Sequence, residues 1–134
     1  MITLYHVLAV SRGAAGRTFV TVDGGLSDYP GPELYGAGHS VHAVRPSNAP
    51  SALVTVVGRY CEAEDVLAAD VMLPADVRPG DLVAVPSTGA YNHSMAIDHN
   101  LVGRPPVIAV SNGESRTLIR KETTSDLLIR DVGL

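Results

Sequence analysis

The sequence predicts an all-β domain, a small β-barrel or sandwich with short helical turns. Segments rich in β-branched residues recur at short intervals, and turn-forming residues separate them. No amphipathic helix of about twelve residues appears in the hydrophobic pattern. The 134 residues include 13 glycines and 9 prolines, which favours many turns and short elements.

In the first half of the chain, residues 4–10 and 18–22 are predicted strands, and residues 12–17 are the hairpin loop between them. The paired glycines of Asp23-Gly24-Gly25 end the second strand. The prolines and glycines of residues 26–38 exclude a regular helix there, leaving one helical turn from Pro32 to Tyr35. A short strand is predicted from His39 to Val44.

In the second half, residues 52–58, 66–72 and 82–86 are predicted strands, the last of them buried. Pro79-Gly80 has the composition of a type II turn. A short helix is predicted to follow Ser87–Tyr91, ending near Ala96. Asn112-Gly113 predicts a hairpin between strands 107–110 and 117–121. A final helical turn is predicted at residues 123–128, with Ser125 or Thr124 as its cap.

Composition argues against a nucleic-acid-binding protein, a membrane protein and a disulfide-stabilised protein. The formal net charge of −4 gives no basic surface for nucleic acid. No apolar run approaches the ~18 residues that a membrane helix needs, and the first residues do not resemble a signal peptide. We therefore expect a soluble, cytoplasmic protein with neither a nucleic-acid partner nor a membrane partner. The single cysteine, Cys61, excludes an internal disulfide framework.

Cys61-Glu62-Ala63-Glu64-Asp65 is the most reactive stretch in the sequence. A thiol beside carboxylates can transfer protons when its site excludes water. The alternative is a small buried cysteine next to a solvated acidic turn. Composition alone favours this alternative.

Other segments have polar groups without a specific pattern. Ser87-Thr88-Gly89-Ala90-Tyr91 could hold an anion on its hydroxyls and amides, or could be a glycine turn with Tyr91 packed on the core. Neither His39 and His42 nor the histidines at 93 and 99 have the spacing of a zinc site, so no metal is predicted.

Taken in order along the chain, these segments resemble one family. The resemblance is carried by a Cys-Glu-x-x-Asp element at 61–65 and a Gly-Ala-Tyr element at 89–91. Further matching segments are 22–28, 34–37, 73–81, 104–106 and 120–127. The set looks like the C-terminal domain of fold-type III pyridoxal-phosphate decarboxylases of the diaminopimelate decarboxylase type, as used in lysine biosynthesis. It runs from Leu4 to Asp131.

The resemblance implies that residues 1–134 are one C-terminal β domain, beside an N-terminal (β/α)8 barrel that this chain lacks. It implies a homodimer, or a separate barrel partner, with active sites at the interface. Cys61 would be the acid that reprotonates the substrate carbon after decarboxylation, and Glu62 would contact the distal end of an amino-acid substrate. Tyr35 would line the substrate pocket, and Tyr91 would bond the phosphate of pyridoxal 5'-phosphate or the substrate.

The sequence departs from the family in three ways, the first being that Asn92-His93 follows Tyr91 where the family more often has a second aromatic residue. Gly31 stands where the family usually has an arginine that grips a substrate carboxylate, which leaves a related amino acid open as the substrate. The barrel's Schiff-base lysine is absent, since Lys121 is the only lysine. We therefore expect the chain alone to be inactive. Three hypotheses follow: the domain of a two-domain decarboxylase, half of a split enzyme, or a stand-alone module for binding or self-association.

Overall fold

The computed structural model describes residues 1–36, 38 and 40–133, with Ala15, Glu33 and Leu34 described by their backbone only. Within these residues the chain forms eight strands and three short α-helices. The strands are β1 (Ile2–Arg12), β2 (Thr18–Val22), β3 (His42–Ala43), β4 (Ser51–Val57), β5 (Val66–Pro74), β6 (Leu82–Pro86), β7 (Val107–Ser111) and β8 (Glu114–Ile119). The helices are α1 (Gly31–Tyr35), α2 (Asn92–Met95) and α3 (Thr124–Leu127).

One six-stranded sheet, in the order β3-β6-β1-β2-β4-β5, makes up most of the fold. Its neighbouring strands are antiparallel except for β2 and β4, which run parallel. The two end strands, β3 and β5, contact each other, so the sheet curls into a nearly closed barrel. The predicted all-β class is confirmed.

The core lies inside this barrel and consists mainly of valine. Buried side chains alternate with outward-facing ones along each strand, as the pleat requires. The fully buried members include Val7, Val20, Val22, Val56, Val83, Val85 and Leu73. Each such aliphatic side chain stabilises the fold by roughly 1.5–3 kcal/mol. Because the chain has one phenylalanine and no tryptophan, many medium-sized side chains supply that energy together.

Two predicted turns have the expected geometry. Gly80 has a φ of +90°, and the amide of Asp81 donates to the carbonyl of Arg78 at 3.1 Å, as in a type II turn. Asn112 and Gly113 have φ values of +52° and +79°, and they join β7 to β8 in a separate two-stranded hairpin. Both turns are confirmed, but β8 begins and ends earlier than the predicted strand 117–121, directly after the Asn112-Gly113 turn.

Three expectations need correction. Strand β3 covers only His42 and Ala43, which pair with Ala84 and Val83 of β6. The remainder of that prediction includes His39, which lies outside the described residues. Strand β6 is half-buried rather than fully buried, with alternate residues facing outwards.

The cap of α3 is also different from the prediction. Thr123, rather than Thr124 or Ser125, caps the helix: its side chain accepts from the amide of Asp126, and the Asp126 carboxylate accepts from the amide of Thr123. This reciprocal capping box satisfies two backbone donors together, which neither predicted residue could do. None of the helices in the described part of the chain is long and apolar enough to cross a membrane.

Candidate active-site surface

The Cys61-Glu62 pair lies in the loop that joins β4 to β5. The buried carboxylate of Asp65 holds this loop in place. Asp65 Oδ1 accepts from the amide of Leu26 at 2.8 Å, and Oδ2 accepts from the amide of Tyr60 at 2.9 Å. Burial raises the pKa of Asp65, although these two donors oppose the shift. Asp65 therefore ties this loop both to itself, through Tyr60, and to the segment after β2, through Leu26.

Two glycines make room for the Asp65 carboxylate. A Cβ atom built on Gly25 or on Gly58 would overlap its oxygen atoms. Gly25 also has a φ of +158°, at the edge of the region that favours glycine. Because they lack a side chain, these two glycines allow the backbone to pack directly against the buried Asp65 carboxylate.

Cys61 itself is exposed. The interpretation of Cys61 as a small buried cysteine is therefore wrong. The acidic turn is solvated at Glu62 and Glu64, as that interpretation had it, but Asp65 is buried. The neighbouring Glu62 is exposed as well. Its Oε1 lies 3.5 Å from His99 Nε2.

His99 links the loop to a second part of the surface. It lies in a short 3₁₀ turn, His99–Leu101, and its ring stands edge-on to Tyr60 at a centroid distance of 5.0 Å. Its Nε2 is buried and makes no hydrogen bond to any described residue. Glu62 is thus the acidic group placed to pair with it when the imidazole is protonated.

Tyr35 and Tyr91 both lie beside helix α2. The Tyr35 hydroxyl contacts Met95 Sδ at 3.7 Å from the end of α1. Tyr91 precedes α2 with a φ of +67°, and its carbonyl accepts from the Met95 amide at 2.7 Å. The two tyrosines are 68% and 72% exposed. Large aromatic side chains with free faces are suited to contact a ligand or another protein surface.

Residues 91–101, which we call the bridge segment, connect the two halves of this surface. Tyr91 lies at its start, and His99, beside Glu62, lies near its end. The amide of Ile97, between them, donates to the carbonyl of Ser27 at 2.8 Å. No hydrogen bond or ion pair among the described residues joins Cys61 or Glu62 directly to either tyrosine.

Gly31 also faces the bridge segment. A Cβ atom at Gly31 would lie 3.9 Å from Asn92 Oδ1, which is an ordinary van der Waals distance. The backbone therefore tolerates a side chain at this position, and such a side chain would start towards α2.

A cleft of about 710 Å³ adjoins the same helix. Its walls are mostly apolar, from the start of β1 and from β7, and Asn92, His93 and Ala96 lie on its α2 side. Asp28 is its acidic group. The Asp28 carboxylate accepts from the Tyr5 hydroxyl at 2.6 Å, and burial raises the pKa of both groups.

In the predicted anion site at residues 87–91, the hydrogen-bond donors of Thr88 already have partners within the protein. Its amide donates to the carbonyl of Met1 at 3.3 Å, and its buried hydroxyl is paired with the hydroxyl of Thr3 at 2.9 Å. Across the described residues, no group of three or more His, Cys, Asp or Glu side chains is placed to hold a metal ion.

Asp65, His99 and Arg104 contribute to this surface, although no role was predicted for them from the sequence. Asp65 was part of the Cys-Glu-x-x-Asp element, and Arg104 was part of the matching segment 104–106. These positions were the only signal for Asp65 and Arg104. His99 was named only as one of the histidines without zinc-site spacing.

Comparison with known proteins identifies the family. The family model for the pyridoxal-dependent decarboxylase C-terminal sheet domain matches residues 1–89. The chain belongs to this family. The resemblance predicted from the sequence is confirmed.

The similarity extends over nearly the whole chain. The diaminopimelate decarboxylase of Actinosynnema pretiosum subsp. auranticum is 59% identical over 98% of the chain, and that of Mycobacterium tuberculosis is 46% identical over 98%. A crystal structure of diaminopimelate decarboxylase from M. jannaschii has a TM-score of 0.91 and 30% identity over 98% of the chain. This chain spans about 30% of the length of each of these three proteins.

Proposed function

We propose that this chain acts as the C-terminal domain of a pyridoxal-phosphate-dependent amino-acid decarboxylase. The observation that carries the proposal is the 59% identity to a diaminopimelate decarboxylase over 98% of the chain, which covers only 30% of that relative. The remaining part, a (β/α)8 barrel by resemblance, would come from elsewhere in the same protein or from a separate chain.

The residues of this chain do not fit a complete pyridoxal-phosphate site. Its one lysine, Lys121, is exposed and follows β8. Tyr91 has an exposed phenol that can donate to a phosphate oxygen. The cofactor, which withdraws the electron pair left by decarboxylation, would therefore be held mainly by the barrel.

Cys61 is proposed as the proton donor. When the bond from the substrate's α-carbon to its carboxylate breaks, CO₂ leaves and the electron pair remains with the carbon side. A thiol proton then forms the new C–H bond, and the thiolate recovers a proton from solvent. The exposure of Cys61 supports this role, because the sulfur can face a substrate bound outside this domain.

Glu62 and Tyr35 are proposed to contact the substrate. The Glu62 carboxylate is exposed beside His99 and can accept hydrogen bonds from an ammonium group at the distal end of an amino acid. Tyr35 offers an exposed ring next to α2. A crystal structure of the M. jannaschii relative is a co-complex with L-lysine, which has such an ammonium group.

A second surface is proposed to meet the rest of the enzyme. The outward face of β1 exposes Ile2, Leu4 and Leu8, and the β7–β8 hairpin exposes Ile108, Val110 and Leu118. Exposed apolar surface of this kind is typical of protein–protein contacts. We propose that the barrel or a second subunit covers it in a homodimer.

The test is a chimaeric enzyme in which this chain replaces the matching region of the A. pretiosum relative. Decarboxylation would be followed as CO₂ release from a panel of α-amino acids that includes diaminopimelate. We expect Cys61→Ala to lower kcat by about 10²–10⁴-fold, as for loss of a general acid. Glu62→Ala should raise KM. Glu64→Ala, an exposed carboxylate of the same loop, is the matched control.

Three results would count against parts of this proposal. If Cys61→Ala and Glu62→Ala behave like Glu64→Ala, the site assignment is wrong. If the folded chimaera releases no CO₂ from any amino acid, the function is wrong. If the chain alone releases CO₂ with added pyridoxal phosphate, the expectation that the barrel supplies the essential lysine is wrong.

A further inference from the structure

We propose that Arg104 is a positioning residue for this active-site surface: it fixes the bridge segment, and thereby sets Tyr91 and the His99–Glu62 pair relative to each other. The inference rests on the proposed function, because it concerns the same site. Arg104 lies outside every motif to which a role was assigned.

The Arg104 side chain bonds the middle of the bridge segment. Its Nε and Nη2 both donate to the carbonyl of Ala96, at 3.1 and 2.9 Å. Its Nη1 forms an ion pair with Asp98 Oδ1 at 2.9 Å. Three of its nitrogens therefore hold two residues of the segment from one side.

Glu122 holds Arg104 in turn. Nη1 of Arg104 donates to Glu122 Oε1 at 2.6 Å, and the Arg104 amide donates to Oε2 at 2.8 Å. The Glu122 amide donates back to the Arg104 carbonyl at 3.1 Å. These bonds, led by the one from the Arg104 amide, lower the pKa of Glu122, so the carboxylate stays charged.

Close backbone contact reinforces this arrangement. A Cβ atom on Gly103 would lie 3.0 Å from Glu122 Cβ and 3.1 Å from its carbonyl oxygen. The chain before β7 and the chain after β8 therefore pack directly on each other. From this contact between Gly103 and Glu122, the Arg104 guanidinium extends to the bridge segment.

The bridge segment has few other tethers near its middle. The amide of Ile97 donates to the carbonyl of Ser27, and Ala96 is buried. Without the guanidinium, the Ala96 carbonyl and the Asp98 carboxylate lose their partners. The backbone on both sides is then free to shift, with Tyr91 upstream and His99 downstream.

Lysine cannot reproduce this geometry. An ammonium group is a single point donor, whereas the guanidinium fork reaches a carbonyl and two carboxylates at once. We therefore expect Arg104→Lys to retain the pairing with Glu122 and to restore only part of the effect of Arg104.

Arg120 provides a matched control. It also lies in the C-terminal region and forms a bidentate pair with a carboxylate, Asp126, at 2.6 and 2.7 Å. It makes no described contact to the bridge segment. A substitution there removes a comparable ion pair without touching the proposed site.

The experiment compares Arg104→Met, Arg104→Lys and Arg120→Met in the chimaeric holoenzyme. Activity is expressed per folded, cofactor-bound site, so loss of folded protein does not count. We expect Arg104→Met to lower kcat/KM by about 100-fold, the effect of a misplacement of about 1 Å. Arg104→Lys should lie between it and the wild type, and Arg120→Met should match the wild type. Equal values for Arg104→Met and Arg120→Met would overturn the proposal.

A second readout separates this proposal from the proposed function. NMR spectra of the 134-residue chain report the Tyr91 amide and the His99 imidazole directly. We expect Arg104→Met to shift both signals and Arg120→Met to shift neither. If the wild-type chimaera has no activity, the proposed function fails, and these shifts alone decide whether Arg104 positions the segment. Unchanged signals in Arg104→Met would overturn it.

Discussion

The carboxylate of Asp65 accepts a hydrogen bond from the amide of Leu26 at 2.8 Å, across 39 positions of sequence. This bond ties the loop after β2 to the loop that carries Cys61 and Glu62. The same carboxylate accepts from the Tyr60 amide within its own loop. The buried carboxylate of Asp65 thus fixes the loop that carries Cys61, the candidate proton donor, relative to the β-sheet of this domain.

Removing this carboxylate should destabilise the fold. Asp65→Ala leaves the Leu26 and Tyr60 amides without their acceptor, and each unsatisfied buried donor costs about 1–3 kcal/mol. We expect a loss of at least about 2 kcal/mol in the free energy of unfolding, measured by urea denaturation. The matched control is Glu64→Ala, on an exposed side chain of the same loop, which should stay close to wild type. Equal effects for the two variants would contradict the role of Asp65.

The glycine next to this carboxylate should be intolerant of substitution. Gly58→Ala places a methyl group on the Asp65 oxygen atoms, and overpacking of this kind costs about 1–3 kcal/mol. Gly38→Ala, at a position with open space around it, should be close to neutral.

A double-mutant cycle checks the cause of that intolerance. If the clash with Asp65 is responsible, the cost of Gly58→Ala should shrink when Asp65 is already alanine. Urea unfolding of the four proteins gives the coupling energy. Strict additivity would show that the glycine is needed for another reason.

The Arg45–Asp81 pair predicts a specific dependence of stability on pH. Arg45 donates to both Asp81 oxygen atoms at 3.0 Å, and this lowers the pKa of Asp81 below its ordinary value. A carboxylate with a lowered folded-state pKa stabilises the fold fully above its unfolded pKa of about 4. That contribution is lost as the pH falls through the folded-state pKa.

The measurement is the urea midpoint between about pH 2 and pH 7. We expect Asp81→Asn to be less stable than wild type near neutral pH and to lose less stability on acidification. Asp70→Asn, at an exposed carboxylate on β5, serves as the control. If the urea midpoint falls equally steeply with decreasing pH in Asp81→Asn and in wild type, this prediction is wrong.

Gly31 allows a direct test of substrate selection. Because a side chain fits there and starts towards α2, Gly31→Arg should leave the fold intact and present a guanidinium beside the site. A charge-assisted bond to a substrate carboxylate is worth about 1.5–3 kcal/mol, which is about 10–100-fold in affinity.

In the chimaera, Gly31→Arg should therefore lower KM for a substrate with a distal carboxylate relative to one without it. Gly31→Met, of similar length and without charge, is the control. If both variants change the two KM values equally, position 31 does not select the substrate.

Much of the fold could be predicted because its signals are local. The β-branched residues of 52–58 favour a strand and Asn112-Gly113 favours a hairpin turn, whatever the rest of the chain does. Both elements were found where expected. The extent of β3 was overestimated because it depends on pairing with β6, which lies far along the chain: His42 pairs with Ala84. The α3 cap was misassigned by one or two residues, since Thr123, Thr124 and Ser125 are chemically alike and Asp126 decides between them.

The candidate site could be predicted only in part. Motif resemblance selected Cys61, Glu62, Tyr35 and Tyr91, and their roles remain predictions. It could not show that Asp65 is buried, since an acidic turn usually faces solvent. Nor could it find the support from Arg104, because the partner Glu122 lies 18 positions further on, beyond the β7–β8 hairpin.

The most direct test of the account is CO₂ release by the chimaera that carries this chain, with bound cofactor verified by absorbance. We predict decarboxylation of at least one α-amino acid, and no release when the A. pretiosum remainder is assayed without the chain. A folded, cofactor-loaded chimaera that releases no CO₂ from any of them would contradict the claim that this chain completes a decarboxylase active site.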